Sequence, residues 1–456
     1  MWIVYDFETT SLSLLGQITQ FCFIVYDEKW NEIDLLEGHV RLRPTEFPDF
    51  SAIQITHTSI RHLDQVGMSE FDAARAMYIF LNKQIQQFGH CILAGYNSSR
   101  FDLKYLRTTL IRNGLNPYFF GKLSSIDVLH YVHHIALNKP DTFPWTGSNS
   151  FWTFSLETIA SSFGVLESKQ SHAACDDVRL VVQLIKKLES TYREPIQEFR
   201  PVRLPHNANL ESDLTIFKQK TIAPPPEKYI YTYYAPIFNT KSDIIAVNLS
   251  KFDPFPPNDE KELIQTLKYT NCNTQYMNAE RLTESEQIKW APIAQLAQEI
   301  AISIGFSRDR YFELIKQDRD IELQIHEMGF KRIKVLGDSI NKTLANPHRF
   351  TEVTQELWSN RQTEKDAFLV QLFNRWGVNN LAELPPTFYD RYILPRYINP
   401  GRLLANELSI PEQVEAAIRE KKKGGLTGIP EEYIEYARLF FDRFNLYRFY
   451  DFPELP

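Results

Sequence analysis

The chain opens with a short apolar run that ends in two acids one residue apart, "MWIVYDFETTS", and nothing else in the sequence restricts the fold as much. Side chains alternate between the faces of a strand, so Asp6 and Glu8 leave on one face while Phe7 leaves on the other. Two carboxylates converging on one spot repel and lose hydration, which raises their pKa unless a cation sits between them. The motif therefore calls for a sheet whose first strand delivers both acids to one place, and for a positive partner that the sequence does not supply nearby.

The 456 residues suffice for two or three domains, and 43% hydrophobic with 23% charged residues suits an ordinary buried core. A formal charge of −7 excludes a global basic field, so any nucleic-acid surface must gather its cations locally. Cys22, Cys91, Cys175 and Cys272 contain no CxxC pair, which argues against a disulfide framework or a thiolate zinc site; reduced, mostly buried thiols are expected. No basic region precedes an apolar segment at the N-terminus, and no apolar stretch approaches the ~20 residues that span a bilayer. A cytoplasmic protein with no membrane contact is expected.

Strand and helix signals alternate to about residue 190: "QITQFCFIVYD", "LLEGHVRLRP" and "CILAGYN" read as extended, with helical patterns around the last. This predicts an α/β domain over 1–192. Between Arg193 and Pro225 the text turns rich in Pro and Asn, which marks a boundary. "KYIYTYYAPIF" and "DIIAVNLS" then predict a small β-rich domain with a helical extension over 206–350. Helical patterns start near Pro292 and dominate a C-terminal domain over 351–456.

Two further acids stand at predicted helix starts. In "GYNSSRFDLKYL", Asp102 opens a pattern with Leu103, Leu106 and Leu110, behind the capping types Asn97, Ser98 and Ser99. Taken alone, it is the acid that many helices carry in their first turn. In "QSHAACDDVRLVVQLIKKL" a helix is predicted from Val178 onward. Asp177 shares a face with Val181, Leu184 and Leu188, so it points inward and needs a partner, whereas Asp176 faces outward. His172 precedes that helix, a place where histidine often serves structure alone.

Together the order acid-x-acid, acid, His-x4-Asp resembles the layout of the histidine-containing DEDD exonucleases, which have an RNase H-like fold. The chain is similar to the exonuclease I family of single-strand DNA exonucleases in "DFET", "TQFCFIVYD", "ITHTSI", "GYNSSRFD", "SIDVLHYV", "FSLETIASSFGV" and "SHAACDD". "YYAPIF" with "DIIAVNLS" resembles that family's SH3-like barrel, and "RYILPRYINPGRLL" its helical C-terminal domain. One departure stands out: Ser155 in "FSLETI" occupies the place of an arginine in the family's "SFRLEHL" segment, and one extra residue separates this segment from His172.

The resemblance implies an RNase H-like mixed sheet followed by a β-rich and a helical domain, and 3′→5′ hydrolysis of single-stranded DNA with two Mg²⁺ ions, or Mn²⁺ in their place. Asp6, Glu8 and Asp177 would hold one ion and Asp6 with Asp102 the other, with His172 as general base. Phe7, Thr9, Asn97, Arg100, Phe101, Lys104 and Arg107 are candidate substrate contacts, with Arg112, Phe151 and Trp152 behind them; a single strand offers both phosphates and base faces. "REKKKGG" reads as a solvated helix end. A monomer that also binds single-strand binding protein is implied. An exoribonuclease and a non-catalytic nucleic-acid scaffold are the alternatives; the intact acids weigh against the scaffold, because unused buried carboxylates only cost stability.

Overall fold

The computed structural model describes residues 1–13, 16–113, 115, 122–166, 170, 172–203, 216–239, 243–253, 255–271, 275–311, 408–424 and 428–453. Strand β1 (Trp2–Thr9) is apolar on both faces because it lies in the middle of a sheet: Trp2 to Tyr5 and Phe7 are all buried. It pairs antiparallel with β2 (Ile18–Tyr26), which pairs with β3 (Glu32–His39), and parallel with β4 (Cys91–Gly95), which pairs with β5 (Leu123–Asp127). The order is β3-β2-β1-β4-β5, a mixed sheet.

Helices α1 (Phe50–Ile55), α2 (Ile60–Val66), α3 (Glu70–Phe88), α4 (Asp102–Arg112), α5 (Val128–Asn138), α6 (Leu156–Ser162) and α7 (Ala174–Tyr192) complete this part. On one face Val4, Cys22 and Ile24 pack against Val178, Val181 and Ile185 of α7 and the apolar sides of α5 and α6. On the other, Ile3, Tyr5, Phe7 and Phe23 pack against α3 and α4. The alternation of β1 thus feeds two cores.

Cys22 and Cys175, expected as free thiols, are joined in a disulfide with Cα atoms 5.2 Å apart and 153 residues between them. A strand and the helix that crosses it make such a pair without any signature in sequence spacing. Cys91 is free and buried.

The second part is a sheet of β6 (Val202–Arg203), β7 (Phe217–Ile222), β8 (Tyr229–Asn239), β9 (Asp243–Asn248), β10 (Leu267–Asn271) and β11 (Met277–Arg281), ordered β10-β9-β8-β7-β11-β6. Short helices α8 (Leu249–Phe252) and α9 (Glu260–Thr266) and the long α10 (Glu284–Ser303) accompany it. Trp290, Ala294 and Ala297 of α10 pack on Ala235, Ile245 and Val247. Helix α10 begins eight residues before the predicted start, behind a capping box of Thr283 and Glu286, and runs through Pro292. The polar cap, not apolar periodicity, marks its beginning. This sheet docks on α5: His134 Nδ1 lies 3.2 Å from the Tyr276 hydroxyl, and Asn278 donates to Asn138 over 3.3 Å.

At the C-terminal end, α11 (Ile410–Lys423) and α12 (Ile429–Phe444) return to the first part. Val414, Tyr433 and Phe440 enclose Phe47, Phe50, Ile53 and Leu63. The Phe50 amide donates to Gln413 Oε1 (2.9 Å) and the Tyr433 hydroxyl to the Pro48 carbonyl (2.7 Å). Lys421 to Lys423 fill the last turn of α11 before Gly424, whose φ of 69° closes the helix, so "REKKKGG" is the charged helix end that its composition predicts. The predicted division at 350 and the segment "RYILPRYINPGRLL" lie outside the described residues, as does most of the linker after Arg203.

Candidate active site

Three elements bring the acids together. Strand β1 presents Asp6 and Glu8, both half-buried, toward the face covered by α7. Asp102 starts α4 at 4% exposure, and Asp177 stands in the first turn of α7 at 3%. Helix α7 begins at Ala174, four residues before the predicted start, so Asp176 and Asp177 lie within it; Ala173 caps it in an extended conformation without a side-chain bond. Asp177 points inward and Asp176 outward, as the periodicity requires. His172 takes φ 54° in the turn before the helix. Oxygen atoms of Glu8 and Asp177 and a ring nitrogen of His172 lie within 4.8 Å of one another.

Crowding shows in the electrostatics. Asp6 is raised well above the usual carboxylate range by burial, then by Asp102, Glu8 and Asp177. Glu8 is pushed up to about 8 by burial, Asp177 and Asp102. Asp102 reaches about 7, chiefly through burial, although its own amide and that of Phe7 pull it down and Asp127 pushes it up. Asp177 is raised by burial, against the opposing pull of Gln170 and His172. Protons or cations must relieve such repulsion. Hard carboxylate oxygens suit divalent cations of the Mg²⁺ and Mn²⁺ kind, so the four acids fit the implied metal.

Two supports escaped the sequence reading. Asp127, 3% exposed, accepts from the Ser99 amide (3.0 Å) and hydroxyl (2.6 Å) and from the Leu129 amide (3.0 Å). It thereby fixes the loop that delivers Asp102 while capping α5. An acid between a strand and an apolar helix, in "SIDVLHYV", is the available signal. Gln170 donates to Asp177 Oδ2 at 2.7 Å, for which the sequence offers no signal.

The proposed substrate contacts divide. Phe7 is a core residue at 4% exposure, its ring 5.4 Å from Tyr5 and 5.5 Å from Phe23, so its side chain cannot stack on a base. Thr9 is also buried, its hydroxyl donating to the Ser11 carbonyl. Their burial follows from β1 lying between two layers of helices. Asn97 (φ 58°), Arg100 and Lys104 are exposed on the rim, and Phe101 and Arg107 half-buried, Phe101 resting 4.9 Å from Tyr105. The Arg112 side chain lies outside the described residues. Phe151 is 58% exposed, while Trp152 donates its indole N–H to the Glu227 carbonyl in the turn between β7 and β8. Ser155 caps α6, accepting from the Thr158 amide.

A mixed five-stranded sheet that gathers a strand acid pair, two helix-start acids and a loop histidine defines a nuclease-type domain of the DEDDh class. Residues 3–185 match the RNase T exonuclease family. Exodeoxyribonuclease I of Buchnera aphidicola is 24% identical over 194 residues, which cover 41% of this chain and 39% of that relative. Escherichia coli exonuclease I in complex with a dT13 oligonucleotide matches with a TM-score of 0.61 at 14% identity, over 97% of this chain and 98% of that one. A solved ExoI/SSB-Ct complex matches with a TM-score of 0.60 at 15% identity, over 97% and 99%. Beyond its exonuclease domain, the chain shares the exonuclease I fold.

Proposed function

We propose that the protein is a 3′→5′ exonuclease that degrades single-stranded DNA to nucleoside 5′-monophosphates with two divalent cations. The observation that carries this reading is the convergence of four acids, all held above the usual carboxylate range, beside a loop histidine. Asp6, Glu8, Asp102 and Asp177 would hold the cations. Such ions supply Lewis acidity toward water and shield the departing 3′ oxygen. His172 stands in the turn before α7, where its ring can take a proton from an attacking water. Asp127 keeps the Asp102 loop in place, and Gln170 orients the Asp177 carboxylate.

Arg100 and Lys104 would meet phosphates beside the cluster, with Phe101 beside the terminal base. Strand specificity for DNA and binding of a single-strand binding protein rest on the likeness to exonuclease I, two of whose solved complexes carry a dT13 oligonucleotide and an SSB-Ct. The test is digestion of matched 5′-labelled single-stranded DNA, duplex DNA and RNA, with and without Mg²⁺. Stepwise shortening of the single-stranded DNA alone, only with Mg²⁺, is expected. Preferential digestion of RNA would make the protein an exoribonuclease, and no hydrolysis of any substrate would make it a binding scaffold.

A further inference from the structure

The Cys22–Cys175 bridge is placed against the acid cluster. Cys22 pairs directly with Asp6 across the β1–β2 ladder, so the two side chains leave the sheet on the same face. Cys175 lies in the first turn of α7, two residues before Asp177 and three after His172. The bridge therefore ties the helix that carries one acid to the strand beside another. Opposite Cys22 on β3 stands Glu37, whose Oε2 is 2.9 Å from the Cys175 sulfur. A bridged sulfur has no proton to donate, so this contact satisfies nothing in the oxidised form. It is where the proton of a Cys175 thiol would go. The site accommodates both redox forms, which a permanent staple does not require.

We propose that Cys22 and Cys175 form a thiol–disulfide switch that sets how tightly the acid cluster holds divalent cations. This rests on the reading of that cluster as a cation site. Closure uses a small-molecule disulfide as oxidant. The Cys175 sulfur, the more exposed of the two, attacks it and releases one thiol; Cys22 then attacks the mixed disulfide and releases the second. Two S–H bonds are lost, one S–S bond forms inside the protein, and one oxidant disulfide becomes two thiols. A dithiol reverses the exchange. Reduction replaces a bond by a van der Waals contact in a close-packed core, so the sulfurs must part and the first turn of α7 must shift with them. Metal sites tolerate displacement of only about 0.5 Å before affinity suffers.

Three measurements on the whole chain test this. First, incubation with excess oxidised dithiothreitol should leave two thiols titratable after denaturation, those of Cys91 and Cys272; four thiols would overturn the proposal. Second, Mn²⁺ titrated calorimetrically into the oxidised and the phosphine-reduced protein should bind about tenfold more weakly to the reduced form, the low end of the cost of losing a support around metal ligands. Third, Cys22→Ser should match the reduced wild type under both conditions, while Cys91→Ala should keep the difference. Equal Mn²⁺ affinity of the two forms, even with a changed melting temperature, would make the bridge a staple and overturn the switch. No Mn²⁺ binding by either form would overturn the cation-site reading as well.

Discussion

Raising the pH of the metal-free protein should destabilise it, and the acid cluster sets the sign. Glu8 is pushed up to about 8 from an ordinary 4.5. Its folded-state pKa lies above its unfolded value, so the folded chain keeps a proton that the unfolded chain releases. Stability is therefore lost as pH climbs from about 4.5 to about 8. At about 1.36 kcal/mol per pH unit, Glu8 alone accounts for roughly 5 kcal/mol over the whole interval and roughly 1.6 kcal/mol between pH 6.5 and 8. That upper window is the useful one. His133, pushed down to about 3 by burial, adds stability with rising pH only up to the ordinary histidine value. Lys268, lowered to about 8 by burial and Arg100, opposes the acids chiefly above this window. Calorimetry in chelator should show the melting temperature of the exonuclease domain falling by about 3–6 °C from pH 6.5 to 8, if it melts as a unit of about 190 residues. Asp6→Asn should flatten the fall, as should saturating Mn²⁺. A melting temperature that stays level or rises over this window, or an Asp6→Asn slope equal to that of the wild type, would refute the reasoning.

Asp6→Asn or Asp177→Asn should reduce hydrolysis to background while raising the metal-free melting temperature, because each removes one of several repelling charges; full hydrolysis by both at saturating Mg²⁺ would contradict their assignment. His172→Ala should slow turnover by about 10²- to 10⁴-fold with a smaller change in DNA affinity, and the defect should shrink at high pH, where hydroxide is abundant; a loss of Mn²⁺ binding in this variant would identify a ligand instead of a base. Arg43 bridges Glu46 (2.5 Å) and Glu70 (3.0 Å) among buried side chains. Arg43→Met removes the cation from two buried carboxylates and should cost about 3–5 kcal/mol in urea unfolding; an unchanged midpoint would refute this. Asp127→Ala should weaken Mn²⁺ binding by about tenfold through the loosened Asp102 loop, and retained affinity would assign Asp127 to helix capping alone.

Alternation on β1 and the inward face of α7 were legible in the sequence because they follow from periods of two and 3.6 residues, and with them Asp6, Glu8 and Asp177; Asp102 joined them only through the family resemblance. The start of α7 was not: Ala173 caps it without a side-chain bond, so no Ser, Thr, Asp or Asn announces the helix. Phe7 stands beside the acids in sequence, and only the second layer of helices shows that its ring is enclosed in a core. Long-range pairings left no trace either. The bridge of Cys22 with Cys175 and the hold of Asp127 on Ser99 depend on which strands become neighbours, and local patterns carry no information about that.

The return of α11 and α12 to cover α1 and α2 gives the protein a particular order of birth. Phe47, Phe50, Ile53 and Leu63 leave the ribosome some 370 residues ahead of their partners Tyr433 and Phe440. At about 5–20 residues per second, the intervening synthesis takes roughly 20–75 seconds, during which this apolar surface is open to chaperones or to neighbouring nascent chains. A prematurely terminated product would keep that surface exposed for good while already containing every acid of the cluster. Closing the α1–α2 face thus waits on the synthesis of α11 and α12.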